Sequence, residues 1–232
     1  MDNITGLFIV VAFIVIILAK FIAKFFTKGN VLTTRFIART AVFAAISIIL
    51  YTVPFLKFSL PIFPSFLEIH LDEIPALIAG FAYGPLSGIL VILVKTVVKL
   101  PLTNTACVGE LADFIYSIAF VLPAALIYKK HRTMKGAVVS MAVAMLIQIV
   151  VASTVTTFVM LDMYSMLYHL PKAVILAMCQ KINPAIKDLG LPFLLMVALP
   201  FNALKDAIVV VFTFLLYKRL QWIFRKIDAQ KN

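Results

Sequence analysis

Apolar runs separated by short basic clusters set the pattern of this chain, and a helix needs about 20 mostly apolar residues to cross the hydrocarbon core of a bilayer. The first run, 4–19, lacks the basic start and small-residue cleavage site of a secretory signal and is followed by Lys20 and Lys24. It is therefore read as a retained helix. The second run, 36–53, follows a basic stretch holding Lys20, Lys24, Lys28, Arg35 and Arg39. Such clusters stay in the cytoplasm, so this helix is expected to run outward and to end at Pro54. Residues 55–72, FLKFSLPIFPSFLEIHLD, mix aromatics, two more prolines and charges of both signs, which excludes a regular span and predicts a structured external loop.

Residues 73–100 resemble one long span, but Gly84 followed by Pro85 is a strong helix break at its centre. A single helix would send the next run, 109–128, outward and strand Lys129, Lys130, Arg132 and Lys135 outside, against the positive-inside rule. A turn at Gly84 and Pro85 on the inner side instead gives two shorter helices, the second ending outside near Lys99, and returns that basic cluster to the cytoplasm. This second reading is adopted. A span from 136 to about 161 then runs outward, residues 162–190 with Pro171 and Pro184 stay outside, and 191–217 returns inward to deliver Lys218, Arg219, Arg225 and Lys226 to the cytoplasm. The expected fold is an all-α integral membrane protein with six core helices and an additional amino-terminal transmembrane helix. No internal repeat or low-complexity linker divides it. The extra helix and a basic cytoplasmic linker occupy 1–30, and the six-helix membrane domain occupies 31–232.

Composition narrows the class further. The 232 residues are 63% hydrophobic and 13% charged, whereas a soluble domain is about 45–50% apolar, so a water-soluble fold is excluded. The net charge of +11 lies in clusters between spans and forms no stripe, which fits topology determinants and not a nucleic-acid surface. Cys107 and Cys179 are too few for a disulfide framework or a thiolate metal cage and are read as free thiols. No GxxxxGK[ST] loop is present, so this chain does not itself hydrolyse ATP. His70, His131 and His169 are scattered, and neither an HExxH pair nor a GxSxG elbow occurs, so no catalytic or metal-binding residue is assigned.

Ionisable groups inside spans carry more information, because each costs about 2.5–3.5 kcal/mol at the bilayer centre unless paired or hydrated. Glu110 and Asp113 are three apart and share a helix face, as do Asn202 and Lys205 on the last helix, where Asp206 follows. Lys205 could neutralise Glu110 or Asp113 across the bundle. Alternatively, these groups converge on a ligand pocket in the outer half, roofed by the aromatic loop. The small-residue spacings Ala41/Ala45 and Gly80/Gly84/Gly88 provide smooth faces, for packing within the bundle or for docking a separate protein. A self-sufficient carrier would use Glu110 or Asp113 as a proton relay.

The segments DEIPALIAGFAYGPLSG (72–88), VGELADF (108–114), FVLPAALIYKK (120–130), LPFNALKD (199–206) and FLLYKRL (214–220) together resemble the substrate-binding S components of energy-coupling factor (ECF) vitamin transporters, and among them the riboflavin-specific group. The resemblance covers about residues 36–220. It implies a six-helix fold with an outward-facing pocket in a bacterial cell membrane. It also implies capture of a vitamin from outside, with transport driven by a separate module of one membrane scaffold subunit and two ATP-binding subunits. Ala41 and Ala45 match the family's scaffold-docking AxxxA, and Asn202 and Lys205 match the NxxK face that hydrogen-bonds the flavin ring. Phe63, Phe66 and Leu67 of the loop are expected to wall the ring, with Thr156, Glu110 and Asp113 completing the site. No cofactor is implied, riboflavin being the transported ligand. GELAD stands where the family usually has GELAN, and Ser153, Thr154, Thr156 and Thr157 stand where an asparagine is expected. The extra carboxylate favours neutral riboflavin over its phosphate.

The topology is directly testable. The charge-derived arrangement places 14 of the 21 Lys and Arg residues on the inner side. A cysteine introduced at Arg132 should therefore resist impermeant thiol reagents in intact cells and react in inverted vesicles; labelling from outside would remove the turn at Gly84 and Pro85 from the cytoplasmic face.

Overall fold

The computed structural model describes residues 33–103, 105, 107–167 and 171–229. The whole of 1–30, with its apolar run and basic linker, and His169 lie outside the described residues. Helix α1 (Thr34–Thr52) starts where the Thr33 hydroxyl accepts from the Phe36 N–H at 3.2 Å, satisfying one of the donors a helix start leaves open. It ends two residues before Pro54, which begins a 3₁₀ turn, Pro54–Leu56. The aromatic loop follows as expected, pinned by an antiparallel bridge between Phe58 and Ile69.

The break at Gly84 and Pro85 produces two helices, α2 (Glu73–Tyr83) and α3 (Pro85–Lys99). Gly84 has φ 101° and ψ 168°, a conformation essentially confined to glycine. Pro85 fills the first position of α3, where a missing N–H has no helical partner to lose. Helix α4 (Val108–Lys130) is next. Helix α5 (Met134–Val155) runs through a π turn, Thr156–Met160, into Leu161–Leu167. Helix α6 (Lys172–Ile182) is short. Helix α7 (Leu199–Ala229) is entered through Leu191–Phe193 and a second π turn, Leu194–Ala198. The outer segment expected at 162–190 therefore contains the last turns of α5 and all of α6, whose Ile175 and Cys179 are buried. Cys107 and Cys179 are both free thiols.

Five helical stretches among the described residues are long and apolar enough to cross a membrane: Thr34–Thr52, Pro85–Leu102, Val108–Lys130, Met134–Leu167 and Leu191–Arg219. The sixth core helix, α2, has 11 residues, about 16 Å at 1.5 Å per residue, too short to span. It is an internal helix, buried from Glu73 to Ala82 and packed against α1, α3, α4 and α7. Its first residue, Glu73, is acidic and fully buried, as is Asp72 just before it. Its far end meets Tyr128 and Tyr217, whose hydroxyls are bonded at 2.7 Å beside Phe81. A second apolar core joins the loop to the π-wound segments: Leu67, Ile69, Leu161, Ile175, Phe193, Val197 and Phe201.

Gly80, Gly84 and Gly88 do not line one smooth helix face. The chain reverses at Gly84, so Gly80 and Gly88 meet across the hairpin. A Cβ on Gly88 would stand 2.8 Å from Val121 Cγ1, 3.0 Å from the Ala76 carbonyl oxygen and 3.3 Å from Gly80 Cα. Ala41 and Ala45 are both exposed. The buried side of α1 instead carries Thr40, Ala44, Ser47 and Tyr51, with Thr40 bonded to Ser87 at 2.8 Å and Ser47 donating to the Asp72 carbonyl at 2.6 Å.

These two glycines predict different failures. Gly88→Ala should destabilise the detergent-solubilised protein by about 1–3 kcal/mol through overpacking, first against the Val121 side chain. Gly84→Ala meets no atom within 4 Å, so its loss, about 1–3 kcal/mol, is backbone strain alone. Trimming Val121 to Ala should relieve the first defect and not the second in thermal melts.

Candidate functional site

A cavity of about 520 Å³ opens between the aromatic loop and helices α4, α5, α6 and α7, within the size range of small-ligand pockets. Its apolar wall includes Phe66, Leu67, Met160, Leu161, Ile175 and Phe201. Asn202 and Lys205, one turn apart on α7, both line it, as do Glu110 and Asp113 on α4 and Thr156 on α5. Helical spacing is what brings each pair to the same side. Phe63 does not reach the cavity wall. It packs behind it, edge-on to Phe201 with centroids 5.2 Å apart, because the loop turns this ring into the second core.

Beside the cavity lies a connected set of buried ions, of which His70, Asp113 and Lys205 line it. Lys95 of α3 is 0% exposed. Its ammonium donates to the Asp72 carboxylate, to Asp113 Oδ2 at 2.9 Å and to Ser117 Oγ at 2.9 Å. The His70 ring bonds Asp72 through Nδ1 and places Nε2 3.5 Å from Asp113 Oδ1, with Tyr51 packed against its face at 5.3 Å. Lys205 Nζ lies 3.5 Å from Glu73 Oε1 and 3.9 Å from Asp113 Oδ1. Burial works against the charge on Asp72, but Lys95 and His70 outweigh it and hold the carboxyl below the usual carboxylate range. Glu73, at the first position of α2, gains from the positive end of the helix dipole.

Glu110 and Asp113 share a face yet have separate partners. Glu110 Oε2 accepts from the hydroxyls of Thr103 at 2.7 Å and Thr105 at 2.6 Å, whereas Asp113 belongs to the ion set. The expectation that Lys205 serves either as counter-ion or as pocket residue resolves into both roles, with Glu73 as its nearer anion. Asn202 donates its amide hydrogens to the Ala198 carbonyl at 2.8 Å and to Ser153 Oγ at 3.2 Å. An amide nitrogen has two hydrogens, so its oxygen is the atom left for a ligand. Thr156 is bonded to the Tyr116 hydroxyl at 3.0 Å. Both π turns border this region, a position where such widened turns commonly serve function.

His70, Asp72 and Asp113 place potential metal ligands within 4.8 Å of one another. Here the Lys95 ammonium bonds both carboxylates and repels a second cation from the same place. Sequence reasoning did not single out Lys95, Asp72, Glu73 or His70. Lys95 carried a usable signal, a charge inside the apolar run VILVKTVV, of the kind that drew attention to Glu110 and Lys205. Nothing local marks His70 as its neighbour.

Residues 35–217 match the family described as "ECF transporter, substrate-specific component". The chain is 29% identical over 189 residues to "Riboflavin transporter RibU" of Staphylococcus aureus (strain TCH60), covering 82% of this chain and 93% of that protein. It is 29% identical over 198 residues to "Riboflavin transporter FmnP" of Bacillus subtilis (strain 168), covering 83% and 97%. The solved structure titled "Structure and mechanism of the S component of a bacterial ECF transporter" matches with a TM-score of 0.63 and 27% identity over 82% of this chain and 96% of that one. With the buried ion set, the cavity and the internal α2 held in one helical bundle, and the family match running through nearly all of it, the chain is a multi-pass membrane protein that belongs to the substrate-specific components of ECF transporters.

Proposed function

We propose that this chain captures riboflavin from the outer side of the membrane and releases it inward when joined to a separate ATP-driven module. The observation that carries this reading is the pair Asn202 and Lys205 inside the cavity. The imide edge of an isoalloxazine ring presents a ring N–H between two carbonyls. An ammonium donates to a carbonyl, and an amide oxygen accepts from the N–H, so the two residues supply a matched donor and acceptor. Phe66, Leu67 and Leu161 suit the flat apolar faces of the ring. Glu110, with one oxygen engaged by Thr103 and Thr105, keeps its other for the hydroxyl-rich tail of the vitamin.

Asp113, the departure from the family's usual amide, is compatible with a neutral ligand because Lys95, His70 and Lys205 compensate its charge within the protein. The same pairing argues against a free proton relay there. The cytoplasmic carboxyl terminus, the scaffold subunit and the two ATP-binding subunits belong to this proposal too. The exposed alanines Ala41 and Ala45 are the proposed place where the scaffold meets α1, since small residues let two backbones approach closely in lipid.

Two experiments test it on the full chain. Riboflavin added to the purified protein should be quenched, and Lys205→Ala should weaken binding roughly tenfold to several hundredfold, the cost of stranding a buried polar partner. Unchanged affinity in a well-folded variant would remove Lys205 from the site. Replacing Ala41 and Ala45 by leucine should abolish uptake in cells carrying the energising module while binding stays near normal; a parallel fall of binding and uptake would make these alanines part of the bundle's own packing.

A further inference from the structure

Glu73 is a buried acid that the binding reading leaves without a task. It is 0% exposed and forms no part of the cavity wall. Its Oε1 lies 3.5 Å from Lys205 Nζ and accepts from the Ser117 hydroxyl at 3.3 Å, while Oε2 has no hydrogen-bond partner. A carboxylate so placed in a membrane bundle is costly unless a cation compensates it. Lys95 is committed to Asp72, Asp113 and Ser117. Lys205 is the cation within ion-pair distance of Glu73 among the described residues.

The ammonium of Lys205 has three N–H bonds to direct. Glu73 stands on one side at 3.5 Å and Asp113 on another at 3.9 Å, and the remaining side is the cavity that Lys205 lines. Without the Glu73 anchor, a four-carbon side chain would be free to swing its charge wholly toward Asp113. We propose that Glu73 is a positioning residue for ligand binding: with Asp113 it forks the Lys205 ammonium so that one N–H points into the cavity and fixes where a ligand carbonyl must sit. This inference rests on the reading of the cavity as a flavin site. Its consequence is specificity, because one directed N–H donates to a carbonyl at one place on the ring edge.

The test is a double-mutant cycle on the full chain in detergent, titrated with riboflavin and followed by fluorescence quenching and by the visible absorption band of the bound flavin. Glu73→Gln should weaken binding about tenfold in the wild-type background, near the loss of one directed hydrogen bond. In the Lys205→Met background the same change should weaken it less than about twofold, since the proposed action of Glu73 passes through the Lys205 ammonium. The bound-flavin band in Glu73→Gln should move toward that of Lys205→Met, a shift that lowered stability does not produce. Equal losses in both backgrounds, or a band unchanged from wild type, would overturn the proposal. Should Glu73→Gln yield no folded protein, Glu73→Asp decides by the same comparison, because a carboxylate one methylene short keeps the charge and loosens the anchor. Failure of wild type to bind riboflavin would instead overturn the flavin reading itself; wild-type binding weakened by Lys205→Met and untouched by Glu73→Gln would sink only the role of Glu73.

Discussion

The ammonium of Lys95, buried between Asp72 and Asp113, is the interaction on which the cavity end of this bundle depends. It joins three parts of the chain: the end of the aromatic loop, the middle of α3 and the first half of α4. Removing one member of such a set leaves an uncompensated charge in a medium that solvates it poorly, typically a loss of about 3–5 kcal/mol. His70 extends the set into the loop and Lys205 extends it into α7. The wall of the cavity is thereby tied to the buried ions beside it. The loop that roofs the cavity is anchored through His70 and Asp72 at one end of its path and through the second apolar core along the rest.

The internal helix α2 makes this arrangement possible. At 11 residues it cannot reach both membrane faces, so its acidic start lies inside the bundle, within the ion set. The glycine contact between Gly80 and Gly88 draws α2 and α3 together, which carries Lys95 of α3 beside Asp72 at the head of α2. Close packing of backbones and pairing of charges are thus two consequences of one hairpin. At the opposite end, the bonded hydroxyls of Tyr128 and Tyr217 close the bundle with polar groups that satisfy each other.

Of the two π turns, Thr156–Met160 lines the cavity through Thr156 and Met160, and Leu194–Ala198 leads into α7 just before Asn202. Widening a helix by one residue per turn shifts the register of everything beyond it. On α7 this sets the phase of Asn202 and Lys205, and the amide of Asn202 donates to the Ala198 carbonyl at the end of the widened turn. The amide hydrogens of Asn202 are thereby engaged within the protein, and its oxygen and the Lys205 ammonium stand one turn apart on the cavity wall. The proposed donor and acceptor pair thus depends on backbone geometry as much as on side-chain identity.

Much of this was legible in the residues themselves. Apolar runs determine where helices long enough to cross a membrane form, because the partitioning of apolar groups is a local property that each segment carries alone. Gly84 and Pro85 determine the break between α2 and α3 for an equally local reason. Helical spacing was enough to pair Asn202 with Lys205 and Glu110 with Asp113. Tertiary structure decided the rest. It assigned Lys95, 18 residues from Asp113 and 23 from Asp72, as their common partner; it sent Phe63 behind the wall; and it brought Gly80 to Gly88 across a reversal of the chain. It also chose Glu73 as the nearer anion of Lys205. A charge in a span announces that it needs a partner, since burial without one is too costly, but only the packing of helices brings a particular partner within reach.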